Sequence, residues 1–114
     1  MRWYDRLRRS SEIAQVRRRG RHAGLVNLTA YALEDRRGPT RVAVSVAKSV
    51  GGAVTRNLVR RRIRGALEAM PPPPVALRLL IVAKPAAAVS SFERLSADVA
   101  TAVARLGTPG PPPR

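Results

Sequence analysis

Hydrophobic residues recur at two different periods along this chain, and the changes of period divide it into elements. From residue 90 onward Phe92, Leu95, Val99, Ala102, Val103 and Leu106 keep three- and four-residue spacing. That predicts a helix, with Ser90 and Glu93 as a capping box and Gly107 as its stop. Upstream, at about 100° per residue, Val59, Ile63, Ala66, Leu67 and Met70 share one sector roughly 100° wide. They predict a helix over 53–70, ended by the four prolines 71–74. A shorter helix is expected after Ser10 or Ser11 as cap, with Ile13 and Val16 as its apolar edge, Arg17 to Arg19 as its last turn and Gly20 as its stop.

Between these helices the period drops to two. "RVAVSVA" (41–47) alternates valines with small residues, the pattern of a strand. "LVNLTAYAL" (25–33) reads as another strand, with room for a second hairpin strand in the same region. The polar "EDRRGPT" turn between the two suggests an antiparallel pair. "ALRLLIVA" (76–83) is apolar without alternation, so it predicts a strand buried on both faces, in an interior or parallel position. Residues 1–9 read as a basic arm, and 108–114 ("TPGPPPR") as a disordered Pro-rich tail. The order predicts one α/β domain over 1–107, a two-layer sandwich.

Charge changes the picture. The chain has 114 residues and carries 22 Lys plus Arg against 7 Asp plus Glu, a formal +15. Seventeen of the basic residues and four of the acidic ones lie in residues 1–64. So much like charge on one domain calls for a polyanionic partner, nucleic acid first and an acidic membrane surface second. Arg56, Arg60 and Arg64 repeat one sign at i,i+4, which destabilises an isolated helix and which a solvated face does not require. Phosphate contact accounts for them better, with Asn57 beside them for a directional hydrogen bond. No cysteine is present, so disulfides and thiolate metal sites are excluded. The N-terminal residues lack the apolar stretch of a signal peptide, and no segment is long and apolar enough to span a bilayer, so a cytoplasmic location is expected.

Catalytic chemistry is missing. The one histidine, His22, falls in the basic loop "GRHAG", and a lone loop histidine is a solvated residue. No carboxylate pair has two-metal spacing, and "KSVGGAVTRN" lacks the spacing of a phosphate-cradling Gly-Lys-Ser loop. The chain reads as a binder rather than a catalyst.

"RVAVSVAKSVGGAVTRNLVRRRIRGAL" resembles the core of the bacterial ribonuclease P protein component family, whose motif runs approximately V-S-K-K-x-G-x-A-V-x-R-N-R-x-K-R-x-x-R. The resemblance extends in order along nearly the whole chain, through "RLRR", "IAQVRRRG" and "LLIVAKPAA". It implies a ribosomal-protein-like α/β sandwich with a small mixed sheet, in which the Arg-rich helix makes a left-handed crossover between two parallel strands. It also implies an accessory subunit of an endoribonuclease. The partner RNA would perform the Mg²⁺-dependent hydrolysis that removes 5′ leaders from precursor tRNA.

By the same resemblance Arg56, Asn57, Arg60, Arg61 and Arg64 would contact the ribonuclease P RNA. Ile13, Arg17, Tyr31, Lys48 and Lys84 would line the site for the leader, and Arg6, Arg8 and Arg9 match the basic start. One protein copy per RNA is implied, with Mg²⁺ bound by the RNA and with no DNA or membrane partner. Leu58 stands where the motif has arginine and Ser49 where it has a second lysine. Ile13, Arg17 and Leu28 stand where the family usually has an aromatic. The rival expectation is a ribosomal or other structural RNA-binding protein with no part in cleavage.

Overall fold

In the computed structural model, which describes residues 2–35 and 38–108, the strand over 77–83 is the axis of the molecule. The elements run β1 (Asp5–Arg6), α1 (Ser10–Arg19), β2 (Arg21–Gly24), β3 (Leu28–Glu34), β4 (Arg41–Ser45), α2 (Ala53–Ala69), β5 (Leu77–Ala83) and α3 (Phe92–Gly107). Short 3₁₀ turns at Lys48–Val50 and Pro85–Ala88 precede α2 and α3. The strands form one mixed sheet of order β1-β4-β5-β3-β2. β5 runs parallel to β4 and antiparallel to β3, pairing Val42 with Leu79 on one side and Ala32 with Leu79 on the other. Only such an interior position buries both faces of "LRLLIVA".

The central placement of β5 corrects the expected pairing of strands 25–33 and 41–47. β3 and β4 are not neighbours, because β5 lies between them, and β4 continues through α2 to its parallel partner β5. The hairpin partner of β3 is β2, antiparallel to it and only four residues long. Its "RHAG" residues are mostly exposed at the sheet edge, so they carry little hydrophobic signal. Residues 25–27 are the turn of that hairpin rather than part of a strand. The turn is held by Lys84, whose backbone N–H donates to Asn27 O, and by Asp98, whose Oδ2 accepts from both the backbone N–H and Nδ2 of Asn27.

Side chains of β5 alternate between two apolar layers. Leu77, Leu79, Ile81 and Ala83 join the main core with Val59, Ile63, Ala66 and Leu67 of α2 and Leu95, Val99, Ala102, Val103 and Leu106 of α3. Leu80 and Val82 face the other way, toward Val16 and Ile13 of α1. The expected α/β sandwich is therefore α2 and α3 packed on the sheet, and α1 covers part of the opposite face.

Several helix ends depart from the expected chemistry. Arg9, not Ser10 or Ser11, occupies the N-cap of α1, with no side-chain cap. Gly20 ends α1 in extended backbone (φ −70°), so the glycine is there for space: a Cβ would lie 2.8 Å from the carbonyl oxygen of Ala32 and closer still to that of Val16. The cap of α3 is Ser91, one residue beyond Ser90, its hydroxyl accepting from Arg94 N. Gly107 is the last helical residue and lets the Pro73 ring approach, since a Cβ there would lie 2.7 Å from it. α2 stops as expected before the prolines, Met70 having turned to φ −105°, ψ 157°.

The basic arm is a docked element. β1 pairs parallel with β4, Tyr4 and Leu7 are buried, and Trp3 Nε1 donates to Leu67 O at 2.8 Å. Of the tail expected over 108–114, Thr108 closes α3 by donating its hydroxyl to Ala104 O, and the rest lies outside the described residues.

Candidate nucleic-acid interface

The cationic side of α2 arises from a simple conflict. The helix needs one apolar face for the core, and every position from Arg56 to Arg64 that does not serve that face, Leu58 apart, is polar. Arg56, Arg60 and Arg64 are half-buried along their stems, while Arg61 and Asn57 are exposed. None of these four arginines makes an ion pair with a described residue. Arg60 Nη1 donates to Asn57 Oδ1 at 3.0 Å, so the amide oxygen is engaged and the Nδ2 side remains for an outside acceptor. Arg56 Nε is buried without a partner among the described residues. Arg64 lies near the Tyr4 phenol, whose pKa burial and Glu68 raise while Arg2 and Arg64 oppose the shift. Arg62, outside the cationic sector, reaches Ser90 O at 3.4 Å and so spans toward the start of α3.

On the other face of the sheet, α1 leaves an open groove of about 300 Å³ lined by Ser10, Ile13, Ala14, Arg17, Ser45 and Leu80. The Arg17 guanidinium carbon stands 5.8 Å from the centre of the Tyr31 ring, a cation–π distance. His22 lies across the β2–β3 pair from Tyr31, with ring centroids 6.1 Å apart. Ile13 and Arg17 thus line the groove, and Tyr31 stands beside it against Arg17. His22 belongs to a strand rather than to a loop, although it is exposed.

Other expected residues stand apart from the groove. Lys48 begins the 3₁₀ turn beyond β4 and does not line it. Lys84 Nζ donates to Leu25 O at 2.6 Å, bracing the β2–β3 turn. Leu28 is fully buried in the α2–α3 layer, so it cannot stack on anything in the groove. Arg6 lies in β1, and Arg8 and Arg9 are exposed on the approach to α1.

Sequence reasoning missed the polar contacts that tie α1 to the sheet. Arg41 holds Glu12 with two hydrogen bonds, at 3.1 and 2.7 Å, and reaches Asp35 at 3.2 Å. Arg78 donates to Gln15 Oε1 at 2.9 Å. Glu12 and Gln15 project from α1, whereas Arg41 and Arg78 are paired on neighbouring strands. The signal was a charged residue inside an otherwise apolar strand, which requires a partner. The hydrogen bond from Arg41 pulls the Glu12 carboxyl below its ordinary 4.5, with the Arg41 and Arg78 charges adding to it against partial burial. A depressed carboxyl stabilises the fold above its unfolded value and loses that contribution as pH falls through the lowered one. Arg41→Ala is therefore expected to cost stability at neutral pH and little at pH values well below 4.5, as read by chemical denaturation along a pH series. An equal cost at both ends would reject the latch.

Among the described residues no group of three His, Cys, Asp or Glu side chains could hold a metal ion, and no helix is long and apolar enough to cross a membrane. Glu12 and Asp35 are committed to Arg41, and Asp98 to Asn27. The donor set among the described residues does not fit a resident Mg²⁺.

A family model described as Ribonuclease P matches residues 1–107. The ribonuclease P protein component of Acidothermus cellulolyticus is 40% identical over 89% of this chain and 87% of its own length. That of Salinispora tropica is 36% identical over 92% of each. Among solved structures, the RNase P protein of Staphylococcus aureus superposes with a TM-score of 0.79 at 16% identity, covering 95% of this chain and all of that one. The RNase P protein from Thermotoga maritima gives 0.76 at 14% identity, over 89% of this chain and 96% of its own. At such identities the two structures speak for the fold.

Proposed function

This chain belongs to the ribonuclease P protein family, and from that premise we propose that it grips two RNAs at once, the catalytic RNA along α2 and the 5′ leader of precursor tRNA in the groove beneath α1. It is the protein component of an endoribonuclease acting in tRNA 5′ maturation, an RNA-associated subunit. The rival expectation, a structural RNA-binding protein with no part in cleavage, gives way to that family.

One observation carries the two-RNA reading: the cationic helix and the groove are packed on opposite faces of the same sheet. Neither occupant obstructs the other, and the sheet fixes the distance between them. Along α2, Arg56, Arg60, Arg61 and Arg64 take phosphates, and Asn57 donates through Nδ2. Beside the groove, Tyr31 offers a ring for one leader base next to Arg17, which supplies charge, and Ile13 and Leu80 form an apolar floor. Arg6, Arg8 and Arg9 add field at the approach, and Lys48 and Lys84 contribute charge from outside the lining. Mg²⁺ belongs to the RNA, whose uptake of it the cationic surface favours by reducing phosphate repulsion. One protein copy serves each RNA, in the cytoplasm.

The test is cleavage of precursor tRNA at low Mg²⁺ by the catalytic RNA, with and without this protein. Added protein is expected to restore cleavage. Tyr31→Ala is expected to raise KM about tenfold for a substrate with a long leader, base stacking being worth about 1–3 kcal/mol. For a substrate with a minimal leader KM should not change. Equal effects on both substrates would remove the leader from the groove.

A further inference from the structure

The side of α2 turned away from the core is not uniformly cationic. At about 100° per residue, Val54, Asn57, Leu58 and Arg61 fall on one stripe, opposite the sector of Val59, Ile63, Ala66 and Leu67 that enters the core. These four residues line a shallow groove of about 440 Å³. Val54 is 85% exposed, among the most exposed large hydrophobic side chains of the described residues. Leu58 is one helical turn on, where the family motif places an arginine. A single exposed valine needs no explanation. Two aliphatic side chains at i,i+4, bordered by Arg61 and Asn57 and running beside Arg60 and Arg64, do.

An RNA interface offers such a stripe few partners. In a duplex the phosphates and 2′-hydroxyls face outward, and the flat apolar surfaces of the bases are stacked inside. Burying Val54 and Leu58 against a phosphate ridge would cost solvation and return nothing. Against the face of a base that has left its stack, the same burial is favourable, and the flanking arginines can hold the phosphates on either side of it.

We propose that Val54 and Leu58 form a seat for one unstacked nucleobase of the catalytic RNA, with Asn57 Nδ2 donating to an acceptor on the base edge and Arg61 bound to an adjacent phosphate. Asn57 is suited to this because Arg60 holds its Oδ1, which orients the amide with Nδ2 as the donor on its other side. The seat selects for an unpaired nucleotide at one place in the RNA, which a purely cationic helix does not do. It rests on the assignment of α2 to the catalytic RNA, and its signature differs from that of the arginines. Apolar contact releases no counterions, so its loss weakens binding without altering the salt dependence.

The experiment measures the affinity of the full chain for the ribonuclease P RNA of the same organism across a salt series, for wild type, Leu58→Ser, Leu58→Arg and Arg60→Ala/Arg64→Ala. Leu58 is half-buried, so folding of each variant is checked by thermal melting and affinities are compared at a temperature where all of them are folded. Leu58→Ser is expected to bind about tenfold more weakly at every salt, on a line parallel to wild type. Leu58→Arg should steepen the line by about one unit. Probing of 2′-hydroxyl reactivity should find one unpaired nucleotide protected by wild type and left reactive with Leu58→Ser. Unchanged affinity for Leu58→Ser, alongside a flattened line for the double arginine variant, overturns the base seat and leaves the α2 assignment standing. Wild-type behaviour from both variants removes the assignment as well as the seat.

Discussion

Arg60→Ala/Arg64→Ala is expected to bind the catalytic RNA about 40-fold more weakly near 0.15 M salt, with the loss vanishing toward 1 M. Each phosphate neutralised by a basic side chain contributes close to one unit to the slope of log K against log salt. Two lost contacts flatten the line by about two units, and the affinity difference is that slope carried over the interval between the two salt concentrations. The effect should be large because neither arginine pairs with a carboxylate among the described residues, so no ion pair there has to be exchanged for the phosphate. Arg41→Ala makes the control. It removes an arginine already committed to Glu12 and Asp35, and the slope should scarcely move. A double variant that kept the wild-type slope would place the RNA elsewhere on the surface.

The second large effect is steric. Gly20→Ala is expected to destabilise the fold by about 2–3 kcal/mol and to lower the melting temperature by roughly 10 °C or more. The backbone at Gly20 is extended and suits any residue, so the substitution would ordinarily be neutral or slightly stabilising. Here the new methyl meets two carbonyl oxygens, those of Val16 and Ala32. Both are backbone, one in α1 and one in β3, and neither can swing aside as a side chain could. The way out is for α1 to lift from the sheet, which widens the groove lined by Ile13 and Arg17 and parts Arg17 from Tyr31. Below its melting temperature the variant should keep its affinity for the catalytic RNA and lose its advantage with long leaders. A melting curve superimposable on wild type would show that α1 is not pressed against β3 at this point.

Elements with a strong period were legible in the sequence, and so was the ridge built on one of them. α2 and α3 come from three- and four-residue spacing over many turns, which no other arrangement explains. β5 was legible for its lack of alternation, and its central position followed from that. The pairing partners were not legible. β2 is four largely exposed residues whose place depends on backbone bonds to β3, and backbone bonding leaves no trace in side-chain pattern. The error over β3 and β4 had the same origin, since a short polar turn fits either a hairpin or a chain that leaves one strand's place for another. Within the site, Ile13, Arg17 and Tyr31 could be named because a helix position and a strand position each had a family counterpart. Lys84 and Leu28 had family counterparts too, but a hydrogen bond to Leu25 and strand parity, which leave no mark in the sequence, keep them out of the groove lining. The ion pairs of Arg41 and Arg78 join residues far apart in the chain and needed the sheet register to be seen.

The interior position of the last strand has a bearing on how the chain is born. Until residues 77–83 leave the ribosome, the β1–β4 pair and the β2–β3 hairpin have nothing between them to join, although most of the positive charge has already been made. The nascent protein passes through a stage as an unassembled polycation, open to proteases and to any nearby nucleic acid. Completion of the sheet then arrives late and at once.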